Sequence, residues 1–454
     1  MGMRTGRRTA MNGLHGKYMA VLYTGPAECG GNCRYCIRTP GLTHSTRENE
    51  DTALASHTSW SARRQLLQRI QDAGLSLGQG NKYELRIKGN SFTNYDPAYL
   101  EAYIKSALDL LNGEDSATFD EAFARQADAP DRCVQIVVET RPDLVTDEWS
   151  ARMRRWGVTT VELGVQSLSE RILCANRRGH GVEATREASR RVREHGFELG
   201  YHVMVGLIGA SRSDDFKLLA EDLWQEDFYP DTLKIYPCIA SPIRSHQLAL
   251  YRALDRGLWH PYGDAEYRAL LERALPRIPR DVHVNRVQRI LESSEIQHGP
   301  RAPVDRSQFD GVSRCMWQRS VQQRGYDPDR DYSDARIDVF WRGNDFCLQA
   351  LTEEDTIIGY ARVRVGANRT VLRDLRVLGQ PLAVSERHPI DRGTQHVGIG
   401  RKLLREAIAV SKASGATSLD VFCSAGTPRY FEGNGFNKID DRLWRYSIAG
   451  RGES

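Results

Sequence analysis

Three cysteines, Cys29, Cys33 and Cys36, lie close together near the start of the chain at the spacing CxxxCxxC. Three thiolates at this spacing can ligate three irons of a 4Fe-4S cluster and leave the fourth iron open. An open iron is what allows S-adenosylmethionine to chelate and be cleaved reductively. The spacing therefore predicts a 4Fe-4S cluster held by these three residues.

The alternatives for these thiols are a zinc site and a disulfide cluster. Structural zinc sites normally close with four ligands, and His44 is the only local candidate for a fourth. The chain has nine cysteines, an odd number, and most of the other six lie in apolar runs. This pattern favours a reducing compartment and a metal site over a disulfide framework.

Strand-like runs and helical stretches alternate around these cysteines. The predicted strands are Met19 to Tyr23, Tyr83 to Ile87, Val134 to Thr140, Thr159 to Val165, Gly200 to Val205 and Thr232 to Pro237. Six such β-then-α units predict a parallel sheet curled into a partial (β/α)6 barrel. The cysteine loop follows the first strand, so we expect it at the carboxyl ends of the strands, where such sheets bind ligands.

The chain is predicted to contain four regions. They are a basic N-terminal segment (1–17), the barrel (18–239), a helical linker without strands (240–331) and a second α/β domain (332–454). Within the barrel, 38–59 predicts a polar loop over the cluster, and 112–131 predicts an acidic surface insertion. Strands of the second domain are predicted at Arg336 to Trp341, Ile357 to Val365, Val371 to Leu378 and Ser418 to Cys423.

A glycine-rich stretch, Gln395-His-Val-Gly398-Ile-Gly400-Arg401, precedes the long helix predicted from Gly400 to Ser414. Glycines here let backbone N–H groups and the helix N-terminus approach a pyrophosphate. A GxG before a helix is weak by itself. With a strand after the helix and then Pro428-Arg-Tyr-Phe-Glu-Gly-Asn-Gly-Phe436, the region is similar to the acyl-CoA-binding fold of the GNAT acetyltransferases.

Composition restricts the class of protein. The mean hydropathy is −0.53, and no apolar run approaches the ~18 residues of a membrane span. The N-terminus lacks the apolar centre of a signal peptide, so we expect a cytoplasmic protein without a membrane partner. The net charge of +4 predicts no nucleic-acid partner by itself. Basic residues do cluster at Arg4, Arg7, Arg8 and Lys17, and again in 152–155.

Both halves together resemble one family, the catalytic subunit of Elongator and its relatives, the tRNA carboxymethyluridine synthases. The most specific stretches are Glu139-Thr-Arg-Pro-Asp143, Val161-Glu-Leu-Gly-Val-Gln-Ser167, Asn176-Arg-Arg-Gly-His180, Gly200-Tyr-His-Val-Met-Val-Gly-Leu207, Pro230-Asp-Thr-Leu-Lys-Ile-Tyr-Pro237 and Leu372-Arg-Asp-Leu-Arg-Val-Leu-Gly379. They occur in the family's order, and a generic radical enzyme would not contain all of them.

The resemblance implies roles for individual residues. Cys29, Cys33 and Cys36 would hold the cluster. Contacts to S-adenosylmethionine are expected from four residues at strand ends, Gly89, Asn90, Glu139 and Gln166. Contacts to acetyl-CoA are expected from Lys82, Asp374, Leu375, Arg376, Val377, Gln395, Gly398, Ile399, Gly400, Arg401 and Phe431. Tyr430 is expected to be catalytic, and Arg4, Arg7, Arg8 and Lys17 to contact RNA.

The resemblance also implies a reaction. A deoxyadenosyl radical would abstract a hydrogen from the methyl group of acetyl-CoA, and the product would add to carbon 5 of a tRNA wobble uridine, leaving a carboxymethyl group after thioester hydrolysis. An electron donor or partner subunit is expected. Two alternatives stay open, namely the same chemistry on a free nucleoside or other small metabolite, and a scaffold or RNA-binding protein whose centres have decayed. The intact cysteines and glycine loop argue against decay.

Overall fold

Two β-sheets form the framework of the protein. The computed structural model describes residues 12–14, 17–27, 29–37, 50–243, 247–288, 293–325, 327, 330–367, 369–379 and 398–448. The first sheet has eight strands in chain order, namely β1 (Asn12–Leu14), β2 (Lys17–Tyr23), β3 (Lys82–Lys88), β4 (Arg132–Thr140), β5 (Thr160–Gln166), β6 (Glu198–Val205), β7 (Thr232–Pro237) and β8 (His283–Arg286).

The strands from β2 to β8 are parallel, and β1 forms an antiparallel hairpin with β2. The predicted radical-enzyme half-barrel is therefore confirmed, with β2 to β7 as its six predicted strands. The expectation that strands stop after residue 240 is wrong, because β8 comes from that region and pairs with β7. β8 has only four residues, which is too short to give a periodic signal.

Helices connect the strands and cover the outer face of the sheet. They are α1 (Glu50–His57), α2 (Ala62–Asp72), α3 (Pro97–Asn112), α4 (Phe119–Arg125), α5 (Asp147–Arg155), α6 (Glu170–Ala175), α7 (Val182–Glu194), α8 (Arg212–Ala220), α9 (Leu248–Asp255), α10 (Asp264–Ala274) and α11 (Val321–Arg324). Part of the predicted polar loop is thus helix α1, and the predicted acidic insertion contains α4. No helix in the described part of the chain is long and apolar enough to cross a membrane.

Alternation along the strands separates an apolar outer face from a polar inner face. On β3, Tyr83, Leu85 and Ile87 belong to the main core with the helices, so Glu84 and Arg86 point inward. The inner face of the other strands is also polar, and its charged members include Lys17, Glu139, Glu162, Glu198, His202 and Lys234. Most barrels of parallel strands fill this space with branched apolar residues, so the charge here indicates a functional interior.

The second sheet has seven strands in the order β14-β15-β13-β12-β11-β10-β9. They are β9 (Arg336–Arg342), β10 (Asp345–Leu351), β11 (Ile357–Val365), β12 (Thr370–Val377), β13 (Ser418–Phe422), β14 (Asn437–Lys438) and β15 (Leu443–Ser447), with helices α12 (Ile399–Ala413) and α13 (Pro428–Glu432). β12 and β13 run parallel but pair only at Val371 with Asp420 and at Leu372 with Val421. β12 continues to Val377 beyond these two pairs, and Val377 lies beside the start of α12.

The sheets join at the amino-terminal end of the barrel through one buried carboxylate. Asp231, just before β7, is 1% exposed and accepts hydrogen bonds from Arg342 of β9, Arg362 of β11 and Arg373 of β12. Burial would raise the pKa of Asp231, but these three guanidinium charges hold it well below its usual range. The second domain is thus fixed to the end of the barrel opposite the cysteine loop.

We expect Asp231→Asn to lower the free energy of unfolding by about 3 to 5 kcal/mol, because it leaves buried arginines without their counter-charge. Urea denaturation measures this. The depressed pKa means that the contribution of Asp231 is complete above its unfolded pKa of about 3.9 and is lost as the pH falls below it. In the control Asp338→Asn, which disrupts a pair with Arg336 that is exposed at both ends, the loss should stay below about 1 kcal/mol. Equal losses in both variants would contradict this account.

Candidate functional site

The cysteine loop is held in place by hydrogen bonds with two neighbouring segments and by one hydrogen bond within the loop. Asn94 Nδ2 donates to the Cys29 carbonyl at 2.6 Å, and the Arg34 amide donates to the Asn176 carbonyl at 3.0 Å. Within the loop, the Cys36 amide donates to the Cys33 carbonyl at 3.2 Å. The loop follows β2, so all three thiols lie at the carboxyl end of the parallel sheet, as the sequence predicts.

The arrangement of the thiols fits a cluster better than a single metal ion. In the described residues, one group of three His, Cys, Asp or Glu side chains has ligand atoms that all lie within 4.8 Å of one another. It consists of Glu139, Glu162 and His202. A zinc ion with Zn–S bonds of about 2.3 Å would bring its sulfurs within about 4 Å of one another. The sulfurs of Cys29, Cys33 and Cys36 do not all lie within 4.8 Å of one another, which suits a cube whose irons each take one thiolate.

A guanidinium contacts the cysteine loop. Arg178 Nη1 lies 3.5 Å from Cys33 Sγ, and its other terminal nitrogen donates to the Gly164 carbonyl of β5. A positive charge beside a cluster sulfur stabilises the thiolate and tunes the cluster potential. The buried Tyr35 lies next to the same thiols, and burial raises its pKa well above the usual value, so its phenol stays neutral.

The four residues predicted to contact S-adenosylmethionine all lie towards the carboxyl ends of neighbouring strands. Gly89 and Asn90 follow β3, Glu139 lies at the end of β4, and Gln166 ends β5. A Cβ on Gly89 would lie 2.0 Å from Thr24 Oγ1, so only glycine fits there. Gln166 has a φ of +70°, an uncommon conformation that is often found at functional sites.

Two of these side chains have protein partners. Asn90 Nδ2 donates to the Ala27 carbonyl, which ties the end of β3 to the cysteine loop. Glu139 Oε1 lies 3.0 Å from His202 Nδ1, and the other ring nitrogen of His202 lies 2.9 Å from Glu162 Oε2. Burial would raise the pKa of Glu139, but the His202 contact and the charge of Lys234 bring it down to about 2. Glu139 is therefore a fixed carboxylate, and its side chain is 41% exposed.

Gly400 and Val377, which are predicted to contact acetyl-CoA, lie beside Tyr430 at the start of α12. A Cβ on Gly400 would lie 2.8 Å from the Tyr430 hydroxyl and 3.5 Å from Val377 Cγ2. Gly398 precedes α12 with a φ of +89°, and the first N–H groups of this helix have no intrahelical partner. A pyrophosphate fits here, because the helix dipole and the free N–H groups favour an anion. Burial raises the pKa of Tyr430 to about 12.

The other residues of this predicted set are in different surroundings. Ile399 and Phe431 are buried in the core of the second sheet, against which Leu375 packs, and Arg401 is exposed at the helix start. Gln395 lies outside the described residues.

Two charged residues of the set point at the barrel rather than at the helix. Arg376 bonds to Asp374 and to Glu198 at the start of β6. Lys82, at the amino-terminal end of β3, has its pKa lowered to about 8 by burial and by the charge of Lys17. Arg376 and Lys82 thus lie where the second sheet meets the amino-terminal end of the barrel.

The RNA contacts predicted from basic clusters need one correction. Lys17 is 6% exposed, lies 3.0 Å from Glu84 and donates to Gln135, so it cannot reach a phosphate in this structure. In the second basic cluster, Arg154 is buried between the rings of Phe197 and Phe422. Arg4, Arg7 and Arg8 lie outside the described residues.

Sequence reasoning missed three residues that shape the site, namely Asn94, Arg178 and His202. Arg178 and His202 lie in two of the stretches that carry the family resemblance, and that was the available signal. Their roles depend on contacts between distant parts of the chain, such as Arg178 with Cys33. Such contacts leave no periodicity in the sequence.

Comparisons with known proteins agree with this architecture. Residues 26–223 match the model of the radical SAM superfamily. The tRNA uridine(34) acetyltransferase of Dehalococcoides mccartyi is 30% identical over 94% of this chain and 96% of its own length. That of Methanocaldococcus jannaschii is 27% identical over 97% of this chain and 86% of its own. The solved structure of Methanocaldococcus infernus Elp3 without residues 1–46 superposes with a TM-score of 0.76 at 25% identity, covering 94% of this chain and 99% of that one.

Replacement of any one of Cys29, Cys33 and Cys36 by Ala should abolish the cluster after anaerobic reconstitution, because two thiolates do not hold the cube. Iron should fall from about four per chain to below about one, and the brown absorbance should disappear. The control Cys174→Ala removes an exposed thiol and should keep full iron. Full iron in all three variants would refute the assignment.

Gly400→Asp should weaken acetyl-CoA binding at least about tenfold, or 1.4 kcal/mol. The new side chain would meet the Tyr430 hydroxyl, and its charge would oppose the pyrophosphate at the helix start. Calorimetry measures the dissociation constant. The matched control is Gly263→Asp at the start of α10, where a Cβ would lie at an ordinary contact distance of 3.8 Å from Glu266 Oε2, and it should leave the affinity unchanged. An unchanged affinity in a folded Gly400→Asp protein would exclude this site.

Proposed function

We propose that the protein adds an acetyl-derived carboxymethyl group to carbon 5 of the wobble uridine of tRNA, with acetyl-CoA as co-substrate. The reason is that the chain belongs to the family of the tRNA uridine(34) acetyltransferases and Elp3. The observation that carries the proposal is the match to the Dehalococcoides mccartyi protein over 94% of this chain and 96% of that one. A match of this extent includes the cysteine loop, the linker and the second domain, so the relation is to the combined enzyme.

The residues proposed to bind ligands lie at the two ends of the barrel. At the carboxyl end, Cys29, Cys33 and Cys36 would hold the cluster, with Arg178 beside it and Glu139 fixed for a hydrogen bond to S-adenosylmethionine. When bound, the cluster and S-adenosylmethionine supply the radical that removes a hydrogen from the acetyl methyl group. At the other end, the start of α12 would bind the pyrophosphate of acetyl-CoA.

With these residues as ligand contacts, S-adenosylmethionine and acetyl-CoA would lie on opposite sides of the polar interior. β3 has seven residues and spans about 20 Å at ~3.3 Å per residue. In this arrangement the acetyl group would approach the cluster end along the polar interior. The ion pairs of Lys17 with Glu84 and of Arg376 with Glu198 lie at the acetyl-CoA end of this path.

The nucleic-acid part of the proposal follows from the target atom. Carbon 5 of a uridine becomes accessible only when the base leaves the stack, as it does in a loop of RNA. Binding then depends on phosphate contacts from exposed basic residues and should weaken with salt. No two of the nine cysteines, all of which lie in the described residues, form a disulfide, which supports a reducing cytoplasmic location.

The test is mass spectrometry of tRNA nucleosides after anaerobic reconstitution and incubation with S-adenosylmethionine, a reductant and acetyl-CoA. We expect 5-carboxymethyluridine at the wobble position when acetyl-CoA is present and none when it is omitted. Cys36→Ala should give none in either case, whereas Cys174→Ala should match the wild type. Turnover of free uridine without modification of tRNA would overturn the tRNA assignment.

A further inference from the structure

The inner face of the barrel contains charged residues of both signs near the ligand end, and its carboxylates already have partners. Glu162 accepts hydrogen bonds from Arg86 at 2.9 Å, from His202 at 2.9 Å and from Lys234. Glu139 lies 3.0 Å from the other nitrogen of His202. These contacts account for both carboxylates of this layer.

Two cations on the inner face of the barrel have no carboxylate as an ion-pair partner among the described residues. Lys88 ends β3 on the inward-facing side of the alternation, and Arg286 ends β8, where the register pairs it with the inward-facing Lys234. No described residue forms an ion pair or a side-chain hydrogen bond with either of them. Both side chains are partly exposed, so a ligand can reach them.

The surroundings of Lys88 are unfavourable for its charge. Burial, followed by the positive charges of Arg286, Lys234 and Arg86, lowers the pKa of Lys88 to about 7, and Glu139 opposes the shift. Charged groups inside proteins are normally paired. Lys88 and Arg286 have no ion-pair partner among the described residues, so the anion that would balance their charges is expected from a ligand.

The position of Lys88 indicates where this anion belongs. Lys88 directly precedes Gly89 and Asn90, at the same end of the sheet as the cysteine loop. A ligand that binds beside the cluster and extends over β3 would place an anionic group next to this lysine. Lysine and arginine both form charge-assisted hydrogen bonds with carboxylates and phosphates.

We propose that Lys88 and Arg286 form a binding site for a carboxylate or phosphate group at the ligand end of the barrel interior. The sources of such a group, which rest on the proposed function, are the carboxylate of S-adenosylmethionine and a phosphate beside the target uridine of the RNA.

The first experiment measures the dissociation constant of S-adenosylmethionine for the reconstituted protein by equilibrium dialysis. Lys88→Met keeps the length of the side chain and removes its charge, and Arg286→Gln does the same at the second position. If the carboxylate is the ligand, each variant should bind about ten- to a hundredfold more weakly, which is the range for a lost charge-assisted hydrogen bond. Decarboxylated S-adenosylmethionine should bind equally to the wild type and to both variants.

The second experiment tests the phosphate with an anticodon stem-loop RNA. One RNA has an ordinary phosphate next to the target uridine, and the other has a neutral methylphosphonate there. If the phosphate is the ligand, Lys88→Met should weaken binding of the first RNA by a similar factor, should not change binding of the second, and should leave S-adenosylmethionine binding unchanged.

Lys88→Arg separates the charge from a structural role. Arginine keeps the positive charge at every pH of interest, so this variant should restore most of the affinity that Lys88→Met loses. A protonated Lys88 attracts the anion and a neutral one does not, so wild-type affinity should fall as the pH rises through about 7. The affinity of Lys88→Arg should stay flat over the same range.

The control is Lys438→Met, an exposed lysine of the second domain that pairs with Asp441. It should not change any of these affinities. The proposal is overturned if Lys88→Met and Arg286→Gln, with full iron content, bind both ligands within twofold of this control. The binding assays do not need turnover, so a failure of tRNA modification with these losses intact would refute the proposed function and leave the anion site standing.

Discussion

The requirement that buried charges be paired governs this structure at two places. At the joint between the domains, the carboxylate of Asp231 is surrounded by Arg342, Arg362 and Arg373. Removing any one partner would leave a charge in the interior, and that cost is several times larger than the value of an exposed pair. The relative position of the two sheets is therefore fixed by electrostatics as well as by apolar contact.

The second place is the interior of the barrel, where side chains of opposite charge connect alternate strands. Lys17 pairs with Glu84, Arg86 bridges Glu84 and Glu162, and His202 lies between Glu162 and Glu139. This chain of contacts runs from the acetyl-CoA end of the barrel to the cluster end. A purely apolar interior would give a firmer core, but polar ligands could not pass through it.

Because the strands are parallel, the cysteine loop and the second domain lie at opposite ends of the barrel. Loops that follow parallel strands all emerge at one end of a sheet, so the cysteines of the loop after β2 share that end with Glu139 and Gln166. The second domain docks at the other end, where Asp231, Glu198 and Cys133 contact it. Under the proposed function, the radical would form at one end and the thioester would be held at the other, so the interior would have to connect them.

The sequence by itself predicted the order of the six barrel strands and the glycine-rich start of α12, because these depend on local spacing and periodicity. The assignment of Cys29, Cys33 and Cys36 as cluster ligands rests on the same kind of spacing and stays a prediction. It did not reveal β8, whose four residues are too few for a pattern. It also grouped Lys17 with exposed basic residues, although the lysine is buried against Glu84. Only the tertiary structure decided which charges pair and which do not. Lys88 and Arg286 are distant in the chain, and each lies near the positive charge of the other only after the sheet has formed.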